Sequence, residues 1–188
     1  MFLTMAMAAA PAWARAQMRI EGQTFAPTAR VAGASLVLNG VGLRAVAWFK
    51  GFTAGLYLQN KASTVEQVQA LPGAKRLEMR MLQEVAAGEF VKAFRKGMER
   101  NAADTELPRL AERMVLFENL VNAVGTVRKG DRINLDLEPG RGTLFSVNGT
   151  LRGEAIAGDD FYAVLLRSFI GEHPFDNKLK AGLLGQRA

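Results

Sequence analysis

Asn39-Gly40-Val41-Gly42-Leu43-Arg44-Ala45-Val46-Ala47-Trp48-Phe49-Lys50-Gly51-Phe52-Thr53-Ala54-Gly55-Leu56-Tyr57-Leu58 is the stretch on which the fold turns. Its Val, Leu, Phe, Trp and Tyr residues, broken only by glycines, predict successive strands from Ala34 to Gln59. Gly40 to Ala45 formally fits the dinucleotide pattern G-x-G-x-x-G/A, in which a helix must open at the glycines to hold a pyrophosphate. Strand-forming sequence follows here instead. A nicotinamide site is therefore set aside, and the glycines are read as allowing a tight turn or bulge. Strict alternation puts Arg44, Val46, Trp48 and Lys50 on one face, and Leu43, Ala45, Ala47 and Phe49 on the other. Two readings of Arg44 stand. In one, its planar fork meets a carboxylate in a half-apolar cleft. In the other, its stem covers the sheet and its head stays in water.

Downstream of this stretch, Ser63-Thr64-Val65-Glu66 reads as a capping box opening a short helix from Thr64 to about Leu71, which Pro72-Gly73 stops. Arg76 to Met81 alternates polar and apolar, the pattern of a half-buried strand. Two helices follow. Phe90, Phe94, Gly97 and Met98 line one side of the first; Leu107, Leu110, Met114, Phe117, Val121 and Val124 line the second, which carries Pro108 in its first turn and closes at Gly125. These stripes read as core faces. Ile133, Leu135 and Leu137 then alternate in a strand, Pro139-Gly140-Arg141-Gly142 turns the chain, and Leu144 to Val147 runs back. Asn148-Gly149 is a turn signal and, with Thr150, formally a glycosylation acceptor; the turn is the reading adopted. A third helix spans Asp159 to Ile170, and a short one follows Asp176. Strands, helices, then strands and helices again describe an α+β domain, one mainly antiparallel sheet with helices on a face.

Composition narrows the chemistry. The 188 residues contain no cysteine and one histidine, His173. Disulfide frameworks, thiolate metal sites, iron–sulfur clusters and cysteine nucleophiles are excluded. His173, after Gly171, is read as a loop residue. Ser168 lies on the apolar stripe of the third helix, where its hydroxyl either contacts a ligand or bonds back to the Val164 carbonyl. The net charge of +6 is spread along the chain with no block of five like charges, so no nucleic-acid partner is expected.

Residues 1–16 form an apolar stretch ending in small residues at signal-peptidase spacing, Ala12-x-Ala14 or Ala14-x-Ala16. They are read as a secretory signal, with the remaining residues 17–188 one domain, periplasmic or secreted. No further window is long and apolar enough to be an integral membrane segment.

Two segments carry a family resemblance. Asn39 to Arg44 with Lys50 to Leu58 resembles the N-terminal signature of chalcone isomerase and its relatives, a G-x-G-x-R turn leading to a strand close to K-x-x-A-x-G-x-Y. Ser168-Phe169-Ile170-Gly171-Glu172-His173 resembles the T-M-I-G-E-H-type segment of the plant enzymes. The order of elements between them agrees, so the resemblance spans roughly Ala32 to Leu184. It implies an open-faced β-sandwich, a large antiparallel sheet under a layer of helices, with a ligand cleft between. It also implies that Arg44 matches the arginine that binds and polarises the enzyme's substrate. Ser168 falls where the enzyme carries Ser or Thr, and Phe169 where it carries an apolar cleft residue.

Departures from the enzyme pattern set the functional expectation. The strand threonine of the enzyme falls at Phe52, with Thr53 one residue out of phase and so turned to the opposite face. The helical Tyr and Asn of the enzyme fall at Leu107 and Met114. Non-catalytic members of the family bind fatty acids in the same cleft, and the chain resembles the bacterial exported branch. The expectation is an exported, non-enzymatic protein holding a small apolar carboxylate such as a fatty acid. Its candidate ligand residues are Arg44, Phe52, Thr53, Ser168 and Phe169, with no cofactor and no metal. A chalcone isomerase-type intramolecular lyase, and an envelope interaction module without ligand, are the alternatives.

Overall fold

The computed structural model describes residues 17–46 and 49–186. The export signal proposed for residues 1–16, and Ala47 and Trp48, lie outside them. Three short strands come first: β1 (Met18–Ile20), β2 (Gln23–Phe25) and β3 (Thr28–Val31). The quoted stretch then forms two long antiparallel strands, β4 (Ala34–Val46) and β5 (Phe49–Leu58). After α1 (Val65–Ala70) come β6 (Lys75–Met81), β7 (Val85–Ala86), α2 (Ala87–Asn101), α3 (Leu107–Asn122) and β8 (Thr126–Val127). The chain closes with β9 (Arg132–Glu138), β10 (Gly142–Val147), β11 (Thr150–Leu151), α4 (Asp159–Ile170) and α5 (Asn177–Leu183).

Seven strands make one sheet in the order β11-β10-β9-β6-β5-β4-β3, with every pairing antiparallel. The alternation of β6 and β9 sorts their residues by face. Leu77, Met79, Met81, Ile133, Leu135 and Leu137 join the buried stripes of α2, α3 and α4 in the main core. A smaller cluster of Phe25, Val31, Leu36, Leu38, Tyr57 and Ala74 lies on the other face, under the N-terminal strands. The architecture is the α+β sheet with a helical layer that the residue pattern predicts. No helix among the described residues is long and apolar enough to cross a membrane.

Several local expectations change in detail. Of the turn and the bulge expected at Gly40 and Gly42, the structure has the bulge: both lie inside β4, beside a register shift at Leu38/Gly40, and form no turn. They are needed because α5 lies directly on the strand: a Cβ on Gly40 would overlap the Gly182 carbonyl oxygen, and one on Gly42 would lie 2.6 Å from that of Leu179. A second register shift, between Arg44/Phe52 and Ala45/Lys50, leaves Gly51 as the extra residue. The bulge reverses the expected phase. Lys50 sits opposite Ala45 and reaches Glu21 at 2.7 Å, so it does not share the face of Arg44. The cap of α1 is displaced by one residue, with Thr64 Oγ1 accepting from the Gln67 N–H while Gln67 Oε1 accepts from the Ser63 N–H. Asn148 and Gly149 both have positive φ, 53° and 81°, as the tight turn between β10 and β11 requires.

Candidate functional site

Arg44 and Phe52 are cross-strand partners next to the bulge, on the face that looks toward the helices. Their side chains border a cavity of about 160 Å³. Met79 of β6, Phe90 and Phe94 of α2, Phe169 of α4 and Phe175 of the α4–α5 connection supply most of its apolar wall. Among the described residues that line it, Arg44 is the single cation and Glu89 the single anion. Glu89 accepts a bond from Lys92 at 2.8 Å on the exposed surface of α2, so its charge is already matched.

The Arg44 side chain is 28% exposed, with its guanidinium at the cavity edge. Nη1 donates to the Ala45 carbonyl at 3.0 Å and stands 3.6 Å from Asp176 Oδ2. That separation is an ion pair without a hydrogen bond. Asp176 has a second task, accepting through Oδ1 from the Lys178 and Leu179 N–H groups as the N-cap of α5. Among the described residues, Nε and Nη2 of Arg44 make no hydrogen bond. A guanidinium has five donors in a fixed fork, so most of this one remains available for a planar oxyanion.

Of the five residues singled out from the sequence, Arg44, Phe52 and Phe169 come together around the cavity, while Thr53 and Ser168 do not. Thr53 is fully buried on the opposite face of β5, between Leu43 and Arg80 of the neighbouring strands, as strand alternation demands. Ser168 is fully buried where α4 crosses α2; a Cβ on Gly97 would lie 2.7 Å from its Oγ. Its hydroxyl makes neither the back-bond to Val164 nor any other hydrogen bond among the described residues. A small side chain facing Gly97 is what this crossing uses. Leu107 and Met114 of α3 lie outside the cavity. His173 is exposed in the connection after α4, with its backbone N–H and carbonyl both bonded to the Asn101 side chain. Phe175 and Met79 were not singled out from the sequence, and Phe90 and Phe94 were read there only as core. A void among core residues has no local sequence signal.

The glycine and tyrosine of the shared strand motif have a structural explanation. Gly55 receives the Phe25 ring, which would stand 2.7 Å from an added Cβ, and Tyr57 Oη donates to the Ala26 carbonyl at 3.1 Å. With the Lys50–Glu21 pair, they fasten the N-terminal strands to the face away from the cavity. Burial pushes the Tyr57 phenol well above its ordinary pKa. Among the described residues there is no group of three or more His, Cys, Asp or Glu placed to hold a metal.

No curated protein sequence matches this chain. Among solved structures, a fatty-acid binding protein of Arabidopsis thaliana shares the fold with a TM-score of 0.67. That match covers 90% of this chain and 96% of the plant protein at 14% identity. A family profile described as chalcone isomerase-like matches residues 17–185, including the N-terminal strands that lie before the segment of resemblance. The chain belongs to the chalcone isomerase-like family.

Proposed function

We propose that the protein binds an apolar carboxylate, such as a fatty acid, without transforming it. The carboxylate sits on Arg44, and the tail lies in the cavity against Phe52, Phe169 and the rings of α2. One observation carries this reading: a cation with an underused fork at the edge of a void whose wall is apolar apart from Glu89, itself paired with Lys92. An apolar cavity favours each buried methylene by about 0.8 kcal/mol. A carboxylate entering it needs a charged partner to offset several kcal/mol of desolvation. The fatty-acid binding of the plant protein of like fold agrees with this reading. Lyase chemistry has less support, because the lining beyond Arg44 and Glu89 offers no tyrosine, serine or threonine.

Calorimetric titration with carboxylates, beside native mass spectrometry of the protein as purified, tests the proposal. Arg44→Ala abolishes binding and any co-purifying acid. The melting temperature falls by less than about 3 °C, because a partly exposed pair is worth at most about 1 kcal/mol. A large stability loss with binding intact refutes the assignment. The proposal also takes residues 1–16 as an export signal delivering the domain to the periplasm or the medium. Retention of the full chain in the cytosol on cell fractionation would count against that part.

A further inference from the structure

We infer that the ligand is a compact acid whose apolar body, alkyl or aryl, has about six to eight carbons, and that the phenylalanine cluster sets this limit. The inference rests on the proposed carboxylate site. Its basis is size: the cavity is about 160 Å³, and an apolar cavity of about 150 Å³ holds one benzene molecule. A sixteen-carbon chain leaves about half its length outside such a space. The excess would run over Val46, which is 55% exposed at the cavity edge, and would remain in water.

Widening the cavity is opposed from several sides. Phe94 is 4% exposed, and its ring packs against Phe90, Phe117, Phe169 and Phe175 at centroid distances of 6.2, 5.4, 6.1 and 6.1 Å. Phe169 and Phe175 meet edge to face at 4.9 Å. Phe175 cannot easily retreat. Its N–H donates to the Ser168 carbonyl at 2.8 Å, and its ring lies close enough to α2 that a Cβ on Gly97 would be 2.6 Å away. The next residue, Asp176, caps α5, whose backbone rests on Gly40 and Gly42. Close-packed walls of this kind transmit displacement instead of absorbing it.

Titration of the whole chain with unbranched carboxylates from hexanoate to hexadecanoate, each below its micellar concentration, and with 3-phenylpropanoate, tests the limit. Kd tightens about fourfold per methylene up to about nonanoate and is then level, because further methylenes stay in water. Phenylpropanoate binds within a few-fold of nonanoate. Phe94→Leu, or Phe90→Leu if the first does not fold, moves the break to longer chains by about two carbons. Affinity that keeps rising through hexadecanoate overturns the size limit while leaving the carboxylate site standing. A break unmoved in a folded variant overturns the role of these rings. Absence of saturable, Arg44-dependent binding by every acid overturns the site itself, and the limit with it.

Discussion

The two faces of β6 and β9 are built from alternate residues of the same strands, yet they handle charge in opposite ways. On the face away from the helices, Arg76 donates through Nε and Nη2 to both oxygens of Asp136, at 2.7 and 2.6 Å. Arg80 donates to Glu78 at 2.8 Å and lies over the Phe25 ring. Arg76 and Arg80 are each matched by a neighbour on their own or the adjacent strand, in hydrogen-bonding geometry. On the helix-covered face the strand residues are apolar apart from Lys75 at the start of β6, which donates to the Leu71 carbonyl at 2.6 Å, and Arg44 faces its acid across a gap, from a different element, at 3.6 Å. Charge that serves the fold is closed on itself. Beside the cavity, the charge of Arg44 is left open.

The largest expected effect breaks the closed face. Arg76→Ala leaves Asp136 buried without its partner and costs about 3 to 4 kcal/mol by urea denaturation at neutral pH, against less than about 1 kcal/mol for Arg44→Ala. The pH dependence identifies the cause. Burial holds the Asp136 carboxyl above its ordinary value, although the bonds and charge of Arg76 oppose the rise. An acid whose pKa is raised by folding binds its proton more readily in the folded state. Stability therefore grows as pH falls through the raised value toward the ordinary one. Without Arg76 that rise is unrestrained, so the deficit shrinks in acid as Asp136 becomes neutral. A deficit that does not change with pH would mean that Arg76 acts through the packing of its stem.

Glycines on the two faces give a smaller contrast. A methyl on Gly40 meets backbone atoms, the Gly182 carbonyl oxygen and the Gly185 nitrogen at 2.7 Å, and neither can move without lifting α5. A methyl on Gly55 meets the edge of the Phe25 ring, a side chain on a short hairpin that can tilt. Gly40→Ala accordingly costs about 2 to 3 kcal/mol and Gly55→Ala about 1 kcal/mol in chemical denaturation. Equal costs would show that the N-terminal hairpin is held as rigidly as α5.

These glycines also mark what could be read in advance. The bounds of α4 and the buried faces of α2, α3, β6 and β9 follow from local periodicity, and they came through directly. The strands β1 to β3 did not, because their turns place Glu21 and Ala32 at positive φ, residue types that carry no turn signal. Gly40 and Gly42 could not be explained locally, since the backbone that requires them lies at the far end of the chain. The site divides in the same way. Arg44 and Phe52 share a face through strand pairing, and Phe169 follows the stripe of α4. Thr53 and Ser168 fall away because strand phase and a helix crossing point them elsewhere. Phe94 and Phe175 become wall residues only when three segments distant in sequence meet.

The smallest effect concerns the gap between Arg44 and Asp176, and it sharpens the contrast most. Asp176 does two things: Oδ1 caps α5, and Oδ2 places a negative charge near the guanidinium that the ligand carboxylate is proposed to use. Asn at this position keeps an oxygen for the cap, since Asn and Asp serve almost equally well there. It removes only the charge. Two like charges about 6 Å apart at a partly solvated edge repel by about 1 kcal/mol, so Asp176→Asn tightens carboxylate binding about fivefold. The effect weakens with added salt, and the melting temperature stays nearly constant. An uncharged ligand of the same shape, such as the corresponding primary amide, is indifferent to the substitution. Weaker carboxylate binding in Asp176→Asn would reverse the picture: the acid would then orient the Arg44 fork rather than compete for it, and the open face would be closed in the same sense as the other.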